Sequence, residues 1–339
     1  MENTSKLSRR TLLTAGAAAA GVLASAGPAS AGTLEGAVAS RRRGNGFGIP
    51  EESIGMQIFT MRSLVSSTLG LEGALEIAAD AGVKQAELAG SFYDRSPAEL
   101  QQIFRSFDIK IASNHFGPRG GSEVLPWATP EGRSEIYRDA EALGFPLVGT
   151  GSLGGIIAPD NHTRDEYLRA AELFNQWGRD AKRNGMAGFF FHNHDSEFAL
   201  DGQGTPLFDI FIENTDPEYV FFELDLGWVA VSGQDPKKYV QRYQSRIPYF
   251  HVKDVKWDPA GNRSAAAGTV NAGRSFRFTD VGKGDIDWAD VLSPIRNWGK
   301  HRFFLEHDDA GDLALNPAGS ANTIWRGCSH LQELPRRRR

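Results

Sequence analysis

Three observations predict a single (β/α)8 barrel: eight short apolar runs alternate with amphipathic stretches, polar residues close most of those runs, and no glycine-rich phosphate turn follows the first run. The candidate strands are Ile54–Phe59, Gln85–Leu88, Lys110–Asn114, Leu147–Thr150, Gly188–His192, Tyr219–Asp225, Tyr249–Lys253 and Arg302–Glu306. A doubly wound open sheet would alternate in the same way, but its first turn usually carries glycines that cradle phosphate. Here that turn reads Thr60-Met61-Arg62-Ser63.

Helix starts are marked by Ser96-Pro97-Ala98-Glu99, a capping box with proline at the first helical position. Thr129-Pro130, Thr205-Pro206 and Asp235-Pro236 repeat the pattern of a cap followed by proline. The stretch from Asp254 to Asp285 is rich in Gly, Ala, Asn and Arg. It reads as too polar for core and too long for an ordinary connection, so a loop over the barrel mouth is expected there, and it is a candidate lid.

The amino terminus reads as an address. Ser8-Arg9-Arg10-Thr11-Leu12-Leu13 precedes an Ala-rich run that ends in the small-x-small site Ala29-Ser30-Ala31, which resembles a twin-arginine signal. A membrane anchor needs about 20 strongly apolar residues, whereas Thr11 to Ala31 is mostly Ala, Gly and Ser. Export to a periplasmic or extracellular location is therefore expected, with no stable membrane span after cleavage. The expected organisation is a signal over 1–31, a linker over 32–48, the barrel over 49–334 and a basic tail over 335–339. A chain exported already folded can take up a metal from the cytoplasm.

Cys328 is the only cysteine, so no intrachain disulfide forms and stability must come from a core. The net charge of −5 becomes −7 once Glu2, Lys6, Arg9 and Arg10 leave with the signal. An acidic chain without a basic face disfavours nucleic acid as partner.

In a barrel the active site lies at the carboxyl ends of the strands. Here those ends carry Glu87, Asn114-His115, the run His192-Asn193-His194-Asp195-Ser196-Glu197, Glu223-Leu224-Asp225, His251-Val252-Lys253-Asp254 and Glu306-His307-Asp308. A lone His or Glu at a strand end is usually a satisfied polar cap. Convergence of several near one axis is costly unless a metal or mutual hydrogen bonds compensate. Imidazole and carboxylate together suit a divalent ion such as Mn, Co, Zn or Mg. Alternation gives Glu223 and Asp225 a shared face, and likewise His192 and His194, with the later member nearer the mouth. Trp228 can supply an apolar wall for a sugar face, or plain packing.

Several of these segments resemble the xylose isomerase-like barrel superfamily, the sugar phosphate isomerase/epimerase group, and the resemblance runs over almost the whole mature chain. Its motifs are Gly55-Met56-Gln57-Ile58-Phe59-Thr60-Met61-Arg62, His192-Asn193-His194-Asp195-Ser196-Glu197-Phe198, Glu223-Leu224-Asp225-Leu226-Gly227-Trp228, His251-Val252-Lys253-Asp254 and Val281-Gly282-Lys283-Gly284-Asp285-Ile286-Asp287-Trp288. The resemblance implies a divalent metal held by a Glu, an Asp, a His and a Glu from the fifth to eighth strands. The matching positions are His192, Asp225, His251 and Glu306, and His192 departs from the pattern. Enzymes of this group that epimerise use the two glutamates as opposed bases, so a histidine at the fifth strand weakens that reading.

The resemblance further implies Glu306 as the base, with His115, Glu87 or Lys253 as the group that returns the proton, and Gln57, His194, Glu223 and Trp228 as substrate contacts. It implies an isomerase or epimerase that removes a proton next to a carbonyl on a free sugar, inositol or keto-glycoside. The alternatives are a lyase or dehydratase on the same scaffold and a non-catalytic sugar-binding barrel. Metal-dependent phosphodiester hydrolysis is disfavoured by the acidic charge. The expected partners are a small sugar-like molecule and, in an assembly, further copies of the chain.

Overall fold

The computed structural model describes residues 48–117, 126–158 and 161–335. The segments expected to be a signal (1–31) and a linker (32–48, as far as Phe47) and the terminal arginines 336–339 lie outside the described residues. Eight parallel strands form the barrel: β1 Ile54–Gln57, β2 Gln85–Leu88, β3 Lys110–Asn114, β4 Leu147–Thr150, β5 Gly188–His192, β6 Val220–Asp225, β7 Tyr249–Val252 and β8 Arg302–Leu305. Seven neighbouring pairs carry a continuous ladder in the order β3-β2-β1-β8-β7-β6-β5-β4. The last seam, between β3 and β4, is held by one bridge from His115 to Gly149, with Phe116 N–H donating to Gly149 O at 3.0 Å. All eight sequence-derived strands are present, and four of them have the same bounds.

The interior is built by alternation. Leu147, Phe190, Tyr249 and Phe304 form a buried cluster with Ala112 and Phe221 against it, a plug at the amino-terminal end of the strands. The intervening residues face the helices. Phe189 and Phe191 of β5 pack edge-on against Phe174 at 4.7 and 5.7 Å, within the large outer core. Gly149 lets the plug fit, because a Cβ there would lie 2.2 Å from Phe190 O.

Helix starts follow the caps in three of four cases. Ser96 and Glu99 reciprocate in a capping box, Thr129 accepts from Gly132 N–H at 3.1 Å, and Asp235 accepts from Lys237 N–H at 2.9 Å. Thr205 does not cap. The helix Leu207–Asn214 begins after Pro206, because a Leu200–Pro206 bridge and the bond from Leu207 N–H to Ala199 O hold Thr205 and Pro206 extended.

The stretch after β7 corrects the expectation of a polar loop. It folds as a three-stranded antiparallel sheet, with Ser275–Thr279 between Asp254–Trp257 and Arg263–Ser264. Alternation in Ser275-Phe276-Arg277-Phe278-Thr279 turns Phe276 and Phe278 into a buried cluster with Trp228, Val231, Val255 and Ala265. The two phenylalanines were hidden in the sequence by polar neighbours at every other position. This roof is tied down on two sides. Asp195 accepts from Ala266 N–H at 2.7 Å, and the Arg263 guanidinium grips Asp309 at 2.8 and 3.2 Å.

Asp254 anchors the whole excursion. Its buried carboxylate accepts from the N–H groups of Val255 (2.9 Å), Gly282 (2.8 Å) and Gly284 (3.1 Å) and from Trp288 Nε1 (3.0 Å). Removing it would strand several buried donors, each costing about 1–3 kcal/mol. Asp254→Ala is expected to lower stability by about 3 kcal/mol in urea unfolding. A loss under about 0.5 kcal/mol would show that the roof holds without it.

Candidate metal centre

Above the aromatic plug, each of four consecutive strands presents two further inward residues toward the mouth. β5 runs Phe190, His192, His194; β6 runs Phe221, Glu223, Asp225; β7 runs Tyr249, His251, Lys253; and β8 runs Phe304, Glu306, Asp308. One aromatic residue fills the base and two ionisable residues follow at the period of two that a strand imposes.

Two donor groups result. His192, Asp225, His251 and Glu306 bring one ligand atom each to within 4.8 Å of one another, and His115, His192, Glu223 and His251 do the same. The first group is the set of four carried over from the resemblance. All four are buried. The chemistry of the donors fits a divalent cation, because Asp225 Oδ2 and His192 Nδ1 are buried with no hydrogen-bond partner. Asn193 braces Asp225 from behind, accepting from its N–H at 3.0 Å and donating to its carbonyl at 3.3 Å.

Lys253 Nζ lies 2.8 Å from Glu306 Oε2, 2.9 Å from Asp308 Oδ1 and 3.3 Å from Asp225 Oδ2. Burial would discharge this ammonium, but Glu306, Asp308 and Asp225 outweigh it and hold the lysine well above its usual range. Against its own burial, Glu306 is held well below the ordinary carboxylate range by Lys253 and His251. His251 Nδ1 meets Glu306 Oε2 at 2.8 Å, and its Nε2 meets Glu87 Oε1 at 2.8 Å. Burial opposes a charge on this ring, yet Glu223, Glu306 and Glu87 raise it well above the usual histidine value. His192 and His194, desolvated and beside other cations, are pushed down, His194 to about 3.

The remaining sequence-derived residues fall into two layers. Glu87 is fully buried beneath the centre, where Gln57 Nε2 donates to it at 2.6 Å and Ser113 Oγ also donates to it. Gln57 thus holds Glu87, and its own Oε1 accepts from Phe59 N–H at 3.1 Å. His115 Nε2 sits 2.6 Å from Glu223 Oε2 and 3.1 Å from Glu87 Oε1. Trp228 packs edge-on against Phe278 at 5.0 Å, with the His194 ring 5.6 Å away and Lys253 Nζ 5.0 Å from its ring centre. Sequence reasoning gave no role to Ser113, Asn193 or Asp308. Asp308 was legible by alternation from Glu306. Ser113 was not, since a register shift between Ala86 and Glu87 turns it inward out of phase.

A closed parallel barrel with ionisable side chains gathered at the carboxyl ends of its strands has the layout of the barrel enzymes. The chain belongs to the xylose isomerase-like TIM barrel family, whose profile matches residues 75–327. It is 28% identical over 265 residues to an inosose dehydratase of Lacticaseibacillus casei, covering 74% of this chain and 87% of that one. An inosose dehydratase of Clostridium tetani is 30% identical over 248 residues, covering 70% of this chain and 81% of the other. Among solved structures, a sugar phosphate isomerase/epimerase from Parabacteroides distasonis superposes with a TM-score of 0.61 at 20% identity, over 82% of this chain and 96% of that one. No helix among the described residues is long and apolar enough to cross a membrane.

Burial pushes the Asp225 carboxyl up to about 6, against the pull of Lys253 and His251. A proton therefore occupies it increasingly as pH falls through about 6, and that proton competes with any cation the carboxylate would hold. Divalent-ion affinity of the chelator-stripped protein is expected to be at least about tenfold weaker at pH 5 than at pH 7. An Mn(II) titration with equal affinities at the two pH values would remove Asp225 from the ligand set.

Proposed function

We propose that this protein is a divalent-metal-dependent lyase of the dehydratase type, acting on a neutral keto-polyol such as a keto-inositol. The observation that carries it is the buried pair of Lys253 and Glu306, 2.8 Å apart, in a mouth whose fifth strand offers His192 rather than a carboxylate. Epimerisation asks for two opposed carboxylate bases, whereas elimination asks for one base and one acid for the leaving group. Lys253 and Glu306 have those two characters. The inosose dehydratase name of the relatives supports the same reading.

His192, Asp225, His251 and Glu306 would hold the cation. When bound, it would polarise the substrate carbonyl and acidify the neighbouring C–H. Glu306 Oε2 accepts the proton from that carbon. The electron pair left behind reforms as a double bond as the β-hydroxyl departs, and Lys253 Nζ gives that oxygen its proton, so water leaves. Asp308 and Asp225 keep Lys253 charged until then. His194, whose ring lies 5.6 Å from that of Trp228, would contact substrate hydroxyls, and Glu223 lies deeper, beside His115 and His251.

A neutral substrate follows from the charge inventory. Around the mouth, among the described residues, Lys253 is held by three carboxylates, Arg263 grips Asp309, and Arg62 donates to the carbonyls of Phe59 and Asp308. Each cation already has its partner, and carboxylates are in excess, which disfavours phosphate or carboxylate on the substrate.

With keto-inositols as substrates, the expected result is loss of water, read as a new ultraviolet absorbance and a product 18 mass units lighter, roughly the mass of one expelled water. Lys253→Ala is expected to lower kcat by about 100-fold. Solvent deuterium entering the substrate without loss of water would favour isomerisation, and tight binding with neither would favour a binding barrel. Export on the Arg9-Arg10 signal belongs to the same proposal. Secreted protein is then expected to begin at Gly32, and protein retained in the cytoplasm with its first residues intact would overturn it.

A further inference from the structure

We propose that Glu197 is a positioning residue, whose buried carboxylate fixes His194 where that histidine meets a hydroxyl of the substrate polyol. The proposal deepens the reading above and rests on it for the role of His194 only.

The ladder between β5 and β6 ends at His192 and Glu223, so the sheet no longer fixes the backbone at His194. Its N–H is donated instead to Glu197 Oε2 at 2.5 Å, and Ser196 Oγ donates to Glu197 Oε1 at 3.2 Å. A side chain that reaches back three residues to an N–H is the device of the capping box. The frame behind the carboxylate is firm. Phe198, the next residue, is fully buried, with its ring 4.8 Å from that of Phe208 and 5.4 Å from that of Tyr239. In front, the His194 ring stands 4.9 Å from that of His192 and 5.6 Å from that of Trp228, between the candidate metal centre and the roof.

Glu197 differs from the carboxylates of the mouth in having no cation beside it. Among the described residues, the titratable groups that face it are Asp195 on its own turn and Tyr167 on the helix Arg164–Arg183. Burial, aided by Asp195, pushes its carboxyl up to about 7, against the N–H groups of His194 and Glu197 and the hydroxyl of Ser196. An ionised acceptor holds an N–H about twice as strongly as a neutral one. Above about pH 7 the charged carboxylate therefore grips His194, and as pH falls through that value Glu197 takes a proton and the grip loosens. The roof keeps its own tie, because Asp195 rather than Glu197 accepts from Ala266 N–H.

The test uses the full mature chain under saturating Mn(II), so that proton competition at the metal ligands does not enter. Magnetic resonance with histidine-selective isotope labelling follows the His194 amide, whose peak His194→Gln identifies, while calorimetry reads keto-inositol binding. The amide proton is expected far downfield at about pH 8.5 and to move back with a midpoint near pH 7, as its charged acceptor is neutralised. Keto-inositol Kd and KM are expected to rise about fivefold from about pH 8.5 to about pH 6.5. Glu197→Gln is expected to show the weaker affinity at both pH values, with kcat within about twofold of wild type. A wild-type His194 amide that stays put across this range overturns the proposal, even if the variant fails to fold. So does a folded Glu197→Gln protein that keeps the wild-type affinity and its pH dependence. Wild type that binds no keto-inositol while the His194 amide titrates overturns the substrate proposed above and supports Glu197 as the group that holds His194.

Discussion

The gathering of five carboxylates, four of them buried, inside one barrel is the constraint on which the site depends. Glu87, Glu223, Asp225, Glu306 and Asp308 are drawn together by three strands, β2, β6 and β8, and Lys253, after β7, is the ammonium set beside the last three. Each would be expensive alone in a low-dielectric interior, where an unpaired charge costs several kcal/mol as an order of magnitude. The aromatic plug of Phe190, Tyr249 and Phe304 closes the barrel below them and keeps water out from that side. The histidines then serve as the adjustable element, because an imidazole can carry a proton or yield a lone pair to a metal.

This arrangement explains why so many side chains support others. Gln57 and Ser113 hold Glu87, Asn193 fixes the backbone of Asp225, and Asp308 shares the Lys253 ammonium with Glu306. Such supporting contacts set the angle at which a ligand atom is offered, and they tune affinity as much as the ligands do. The roof contributes in a different way. Through Asp254, Arg263 and Ala266 it is fastened to the barrel, to the loop after β8 and to the loop after β5, so it acts as a fixed wall behind Trp228.

Much of the fold was legible because strands leave a simple trace. A run such as Gly-Phe-Phe-Phe-His is too apolar to be anything but buried, and the polar residues that end it mark the mouth. The same period of two hid the roof, since Phe276 and Phe278 alternate with Ser, Arg and Thr and the segment averages as polar. It also failed at β3, where one bulge brought Ser113 to Glu87 against the expected phase. At Thr205-Pro206 the local cap signal lost to a tertiary bridge with Leu200.

The sequence by itself determined the number of strands, their order along the chain and which residues stand at their carboxyl ends, because alternation and turn chemistry are local. It also put Glu223 with Asp225, and His192 with His194, on a shared face of each strand. Only the tertiary structure decided which of these meet. The contacts from Lys253 to Glu306, from His115 to Glu223 and from His251 to both Glu87 and Glu306 span 53 to 164 residues of chain and depend on the stagger with which eight strands close. That stagger is a property of the closed sheet, and no single strand carries it.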